Sequence, residues 1–275
     1  MPRVLPGLLD DHSEREILLA IGSVLFDHHP AGIKKIVLGS GYGGYTALPT
    51  LDENWDVRCV RGPLTAHVLG LSSDKVAGDT AILLRNYYQP STDKAVNVSF
   101  VPHFESISRG HWQTACDRCG IRFIDPRLPV DMVLKQLSES KLVVTEAMHG
   151  AIVSDCLRVP WVAMKPIDSK HHMKWADWAG ALNFEVRFQS VYPSSIRELY
   201  FSRRGHEWMK LKNSGGLWPQ AAKYADIILT EVAAQTLSRA AKAEPQLSSD
   251  RAIANATEKL QLAVESIQRD YNAIS

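Results

Sequence analysis

Three short stretches carry residue types that could do chemistry. Thr145-Glu-Ala-Met-His-Gly150 reads as a strand end, a tight turn and a helix start, with His149 at the turn and Glu146 close by. A histidine titrates near neutrality, so at a helix N-terminus it can hold a phosphate oxygen or hand over a proton; a buried hydrogen-bonding histidine is the alternative. Val101-Pro-His-Phe-Glu-Ser-Ile-Ser-Arg-Gly110 gathers His103, Glu105 and Arg109 in one strand-end loop. Lys165-Pro-Ile-Asp-Ser-Lys-His-His-Met-Lys-Trp175 is basic and holds an aromatic residue, a combination suited to an anionic group beside a sugar ring. Adjacent His171 and His172 cannot both face one site, so Lys165, one of that pair (His171), Lys174 and Trp175 are the candidates there.

Two further motifs are weaker. Arg61, at a strand-to-helix turn before Gly62-Pro63, can offer its guanidinium to an anion or pair with Asp56 or Glu53. Gly39-Ser-Gly-Tyr-Gly-Gly44 matches GxGxxG, but Tyr45 to Pro49 lead into turns rather than the helix a pyrophosphate needs. A flexible substrate-facing loop is therefore expected, with glycines that permit close backbone approach. Asp79 reads as a helix N-cap. Cys116 and Cys119 form a lone CxxC without a second pair, which reads as two small apolar residues one helical turn apart and not as a zinc site. No GxSxG occurs, so a Ser-His-Asp triad is not supported.

The elements that must position these residues alternate regularly from residue 95 onward. Strands are expected at Val96 to Val101, Ile121 to Asp125, Lys141 to Thr145, Trp161 to Met164 and Phe184 to Phe188. Helices are expected at His111 to Cys119, Val130 to Leu137, His149 to Leu157 and Lys174 to Leu182. Such alternation implies a parallel sheet covered by helices, with ligands at the carboxyl ends of the strands. His103, Asp125, Glu146 with His149, and Lys165 all fall just past those ends.

The first 90 residues read as a shortened α/β domain: a helix near Ser13 to Phe26, strands at Lys35 to Leu38 and Val57 to Val60, and a helix after Pro63. Residues 91–200 form the second, Rossmann-like domain. Residues 201–243 are helical from Pro219 and are expected to close back on the first domain. Residues 244–275 are a linker and a helix with Ile253, Ala256, Leu260, Val264, Ile267 and Tyr271 on one stripe, which packs on the body or docks to a partner.

Bulk properties narrow the class. The chain has 275 residues, 45% of them hydrophobic, and a net charge of +1 from 31 basic and 30 acidic side chains. That balance leaves no broad footprint for nucleic acid, so any bound anion is small and held locally. No apolar run of about 18 residues and no signal-peptide pattern is visible, which points to the cytoplasm.

Val60-Arg-Gly-Pro, Gly78-Asp-Thr-Ala-Ile-Leu-Leu, Val101-Pro-His-Phe-Glu-Ser, Ile124-Asp-Pro, Thr145-Glu-Ala-Met-His-Gly-Ala-Ile-Val-Ser-Asp and Met173-Lys-Trp resemble the polysaccharide pyruvyl transferase family, most closely its succinoglycan-type ketalase branch. The resemblance runs from about residue 3 to 200. It implies a GT-B-like pair of Rossmann-type domains facing a cleft, and transfer of pyruvate from phosphoenolpyruvate to a sugar as a ketal, with no other cofactor and no metal. The chemistry of such a transfer fits the residues themselves: His149 as general acid or phosphate contact, Glu146 as base toward the hydroxyl or else to orient the histidine, and His103 as a second candidate for either proton role. Arg61, Arg109 and Lys165 would hold the donor's anionic groups, and Trp175 would stack on the acceptor. The acceptor would be a lipid-linked oligosaccharide, which would bring the enzyme to the inner face of the membrane and its polysaccharide assembly machinery. Two features depart from the family: Ala147-Met148-His149 stands where many members have Arg-Leu-His, and the usual first strand and Asn-Phe-Gly-Asp-Asp-like turn are not recognisable. The rival readings are a nucleotide-sugar glycosyltransferase of the same architecture, a non-catalytic assembly partner and, more remotely, an NAD-dependent enzyme.

Overall fold

The computed structural model describes residues 1, 3–9, 16–167, 171–204 and 220–272. In chain order the elements begin with strands β1 (Glu16–Leu19), β2 (Lys34–Leu38) and β3 (Trp55–Cys59), then helix α1 (Pro63–Val68) and a 3-10 helix (Thr80–Asn86). Strand β4 (Val96–Val101), helices α2 (Phe104–Arg109) and α3 (Trp112–Cys119), β5 (Arg122–Phe123), α4 (Val130–Ser138), β6 (Ser140–Thr145), α5 (Met148–Cys156) and β7 (Trp161–Met164) follow. The chain continues with α6 (His172–Ala181), β8 (Phe188–Gln189), α7 (Ile196–Arg204), α8 (Gln220–Ala240) and α9 (Asp250–Asn272).

These elements fall into two compact units. The first comprises Met1–Gln89, Lys170–Val186 and Ser248–Ser275; the second comprises Pro90–Ser169 and Arg187–Leu247. Each carries a parallel sheet, ordered β1-β2-β3 in the first and β5-β4-β6-β7-β8 in the second. The chain is thus an α/β protein.

In the first unit, Leu19, Val37 and Val60 form the core with Leu25 and Ala66. The residues expected to be a helix from Ser13 to Phe26 instead supply strand β1 at Glu16–Leu19, while Ser13 itself lies outside the described residues. A continuous apolar run such as Ile17 to Ile21 suits a strand buried in a parallel sheet as well as a helix, and periodicity alone cannot separate them. Gly22, at φ 96, then turns the chain out of any helical path. Asp79 does cap the 3-10 helix, accepting the Ala81 N–H at 3.0 Å.

Helix α9 lays Ile253, Leu260, Val264 and Ile267 into the first unit against β2, β3 and the 3-10 helix, all four almost fully buried. Arg58 fixes its far end, donating to Ser266 Oγ at 2.7 Å and pairing with Asp270 at 2.5 Å. The Tyr271 hydroxyl donates to Glu16 on β1. Of the two readings of this helix, packing on the body is the observed one.

In the second unit, Phe100, Val144, Val162 and Met164 from the sheet meet Trp112 and Cys116 of α3 and Ala233 and Leu237 of α8. Two boundaries therefore differ from expectation. Helix α8 packs on α3 in the second unit instead of closing on the first, because its Ala233-Ala234-Leu237-Ala240 face is small enough to seat closely on that helix. Helix α6, expected in the second domain, belongs to the first unit, where Asp177 and Gly180 abut Arg61 and Pro63. Cys116 sits in the core with its thiol pushed up by burial, and Cys119 is half-buried and shifted the same way.

No helix among the described residues is long and apolar enough to cross a membrane. Truncating Leu260 at the centre of the α9 stripe leaves a cavity in the first unit. Leu260→Ala should cost about 3 kcal/mol of unfolding free energy, read from urea denaturation of the full chain.

Candidate functional site

In the second sheet the chain runs from β4 to β5 on one side and then crosses to β6 on the other. The connections leaving β4 and β6 diverge, which makes their carboxyl ends the switch point, the position where open parallel sheets bind ligands. Among the described residues of the first unit the strands follow one another in sequence order, without such a reversal. The register sets Val101 opposite Thr145, and the Glu146 N–H donates to the Val101 carbonyl at 2.9 Å, so the two chains leave the sheet side by side.

Glu146 then turns inward. Its side chain is buried, one oxygen accepting the His103 N–H at 2.9 Å and the other the Ser106 hydroxyl at 3.0 Å. The carboxylate thus caps α2 from a neighbouring element, satisfying a backbone donor that the helix start leaves open. Burial pushes its pKa up, opposed by the His103 and Ser106 hydrogen bonds and by the Arg109 charge.

Arg109 closes the same loop. Its Nη1 donates to Glu105 at 3.1 Å, its Nη2 to Ser106 Oγ at 3.2 Å, and the guanidinium lies 4.0 Å over the Phe201 ring of α7. Its Nε is buried with no hydrogen-bond partner among the described residues. Arg109 is therefore a cation held in place, with one N–H that no described residue matches. His103 Nδ1 lies 3.7 Å from Glu105.

The turn into α5 is shaped by Thr145 and Gly150. The Thr145 hydroxyl accepts the Ala147 N–H at 3.0 Å and lies within hydrogen-bond reach of the Val101 and Ala147 carbonyls. A Cβ on Gly150 would strike that hydroxyl, so glycine lets α5 start tight against β4 and β6. His149, half-buried, is held at this start in the first turn of the helix. Lys165 follows β7 on the exposed surface. The second unit thus gathers His103, Arg109, Glu146, His149 and Lys165 along the carboxyl edge of its sheet.

The remaining candidates belong to the first unit. Arg61 is fully buried and already engaged, donating from Nε to Asp177 at 3.0 Å, from Nη1 to Ser23 at 2.8 Å and from Nη2 to the Tyr42 carbonyl at 3.0 Å. Its partner is neither Asp56 nor Glu53. Asp177 also accepts the Thr65 N–H and hydroxyl, so this ion pair locks α6 to α1. The glycine loop rests on it. A Cβ on Gly41 would collide with the Arg61 guanidinium, and the loop is further pinned by Gly41 N–H to the Gly22 carbonyl at 3.0 Å. The expected free loop is instead a packed one, and its close approach is to Arg61. Trp175 is buried against Trp178, which removes its ring face from a sugar. His171 meets the Tyr45 ring edge-on at 6.0 Å and Lys174 is half-buried.

Glu198 was not legible as a site residue. Ser195-Ile-Arg-Glu198 carries the S-x-x-E signature of a helix start, and Ser195 Oγ does accept the Glu198 N–H at 3.2 Å. The carboxyl, however, turns into the unit. Trp112 Nε1 donates to it at 2.7 Å, as do the Ser194 N–H and hydroxyl, each at 2.7 Å. Burial, and then the nearby Glu146 charge, push its pKa to about 7.

Both carboxyls bind their protons more tightly folded than unfolded, so the stability they allow at low pH is lost as pH rises. For Glu198 the loss runs from its ordinary 4.5 to about 7 and amounts to about 3 kcal/mol. Urea midpoints of the wild type should fall across that window, and Glu198→Gln should flatten the fall. Asp177→Asn, which strips the buried Arg61 of its counter-charge, should cost about 3–5 kcal/mol in the same measurement.

Residues 10–168 match the family model for polysaccharide pyruvyl transferase. The chain is 33% identical to the succinoglycan biosynthesis protein ExoV of Rhizobium meliloti (strain 1021), over 98% of this chain and 92% of that protein. No solved structure matches it. The family match takes in β1 through β7, with the strand-end loop and the Glu146 to Gly150 turn inside it, and on these grounds the chain belongs to the polysaccharide pyruvyl transferase family and is a transferase.

Proposed function

We propose that the chain transfers the pyruvyl group of phosphoenolpyruvate to a sugar of an exopolysaccharide repeat unit, forming a ketal and releasing phosphate. The observation that carries this reading is the convergence of His103, Arg109 and His149 on the β4 and β6 ends, around the buried Glu146. The donor brings a carboxylate and a phosphate, and the site must hold both. Arg109, rigid on Phe201 and with Nε unmatched, suits one of them, and the exposed Lys165 is a second cation on the same sheet edge. This supplies the positive charge that the absent arginine of the Arg-Leu-His pattern leaves to be found, and Arg61 is already committed elsewhere.

The atoms balance with two sugar hydroxyls. A proton goes to the methylene carbon, making it the methyl group, and the first hydroxyl oxygen bonds to the adjacent C2. Phosphate leaves as the second hydroxyl closes the ring, so one hydroxyl proton replaces that given to carbon and the other departs on phosphate. His149 is the general acid or the phosphate contact, with His103 the second candidate for a proton role. Glu146, with both oxygens taken by the loop, orients His103 rather than acting as base. On this reading the two units are the halves of a GT-B-like fold. The acceptor is lipid-linked, and the enzyme works at the inner face of the membrane beside the polysaccharide assembly machinery.

Phosphoenolpyruvate should raise the melting temperature of the wild type, and His149→Ala should weaken that rise. With acceptor present, phosphate release should fall by roughly 100-fold or more in His149→Ala, the scale of losing a general acid. Stabilisation by UDP-galactose with none by phosphoenolpyruvate would overturn the reading.

A further inference from the structure

The loop that carries His103 and Arg109 does not rest on the sheet alone. It is seated on the start of α7, and every contact of that seat passes through or beside Glu198. Ser194 Oγ accepts the His111 N–H at 2.8 Å and donates to Glu198 at 2.7 Å. The Ser195 hydroxyl donates to the Arg109 carbonyl at 2.6 Å. Gly110 lies against Ser194 and the Glu198 carboxyl so closely that no Cβ fits. One helical turn on from Glu198, Phe201 supports the Arg109 guanidinium. Glu198 is thus the fully buried hub of a seat whose other side is the site.

From this we infer that Glu198 is a positioning residue for the proposed pyruvyl transfer, holding the His103-to-His111 loop in shape and setting by its own charge the repulsion that the buried Glu146 must bear. The inference rests on the proposed function for its reaction, but the seat exists without it.

The charged and titratable groups around Glu198 are few. Arg109 comes from α2, Glu146 from the β6 end and His111 from the start of α3, and Asp226 of α8 accepts the Ile196 N–H at 2.7 Å and lies 3.5 Å from His111. With Glu198 protonated, Glu146 is the one fully buried anion of the seat, Arg109 stands near it while also pairing with the half-buried Glu105, and Glu146 accepts from both His103 and Ser106. With Glu198 ionised, two buried anions share one arginine. Like charges in a dry site repel at a cost, and because the proton has left to solvent neither carboxylate can shed its charge, so the two side chains are pushed apart. That separation draws Glu146 out of line with the His103 N–H and the Ser106 hydroxyl, and the loop loses about one hydrogen bond.

The test is the KM for phosphoenolpyruvate against pH. In the wild type, KM should rise roughly fivefold as pH passes through about 7, the cost of one loop hydrogen bond, with kcat much less affected. Glu198→Gln, neutral at every pH, should lack that rise. Superimposable KM profiles for the two would overturn the inference. If Glu198→Gln does not fold, Ser194→Ala serves: without the hydroxyl that favours the anion, the rise should move to higher pH, and an unmoved rise overturns it. Hydrogen–deuterium exchange of residues 102–112 gives a readout without turnover. After correction for intrinsic rates, exchange should quicken above pH 7 in the wild type and not in Glu198→Gln. If the wild type transfers no pyruvyl group, the proposed function fails while the exchange data still decide for or against Glu198.

Discussion

The pairing of β4 with β6 is the constraint on which the site depends. Because Val101 lies opposite Thr145, both strands end at one level, and the residues after them have to share the space above the sheet edge. One slip in this register would turn every side chain of β6 to the opposite face and carry Glu146 away from His103. The strand faces reinforce the register. Phe100 and Val144 are buried in the core with α3 and α8, so a shifted β6 would trade apolar contacts for buried polar ones.

Above that edge, polar groups are arranged as a chain of obligations. A carboxylate at Glu146 is costly to bury, and it is tolerated because a backbone N–H and a hydroxyl meet it and an arginine stands near. The arginine is in turn held by Glu105, Ser106 and an aromatic ring, so little side-chain freedom would remain to be lost on binding the anionic donor of the proposed reaction. The first unit uses the same device for a different end. There the Arg61 and Asp177 pair is spent on tying α6 to α1 and on supporting a glycine loop, and its donors point at protein atoms.

Much of the second unit is legible in the sequence, because its strands and helices alternate with clear breaks at Gly120, Pro129 and Pro160. The strand-end positions of His103, Glu146, His149 and Lys165 follow from that alternation. What sequence does not carry is partner choice. Arg61 and Trp175 have the composition of ligand-binding residues, yet the carboxylate that pairs with Arg61 lies more than a hundred residues away and Trp175 packs in an aromatic cluster, and only tertiary packing tells a spent guanidinium from an available one. Strand β1 is missed for a related reason. Its apolar run is equally consistent with a helix, and its parallel pairing with β2 decides the matter. Glu198 announces itself as a helix start, and nothing local tells that its carboxyl serves Trp112 instead of its own backbone.

The contrast between Arg61 and Arg109 shows how the two can be told apart physically. Both are guanidiniums beside carboxylates in segments that follow strands, Arg61 fully buried in a turn and Arg109 partly buried at the end of α2. Arg61 sits in a closed set of partners, each of its three nitrogens donating to protein at 3.0 Å or less. Arg109 has longer bonds, a ring beneath it and a nitrogen without an acceptor among the described residues. A buried donor left unmatched costs free energy, and the proposed transfer would recover that cost if an oxygen of phosphoenolpyruvate came to meet the Arg109 Nε. On the proposed function, that asymmetry is what singles out Arg109, and not Arg61, as the cation to hold phosphoenolpyruvate.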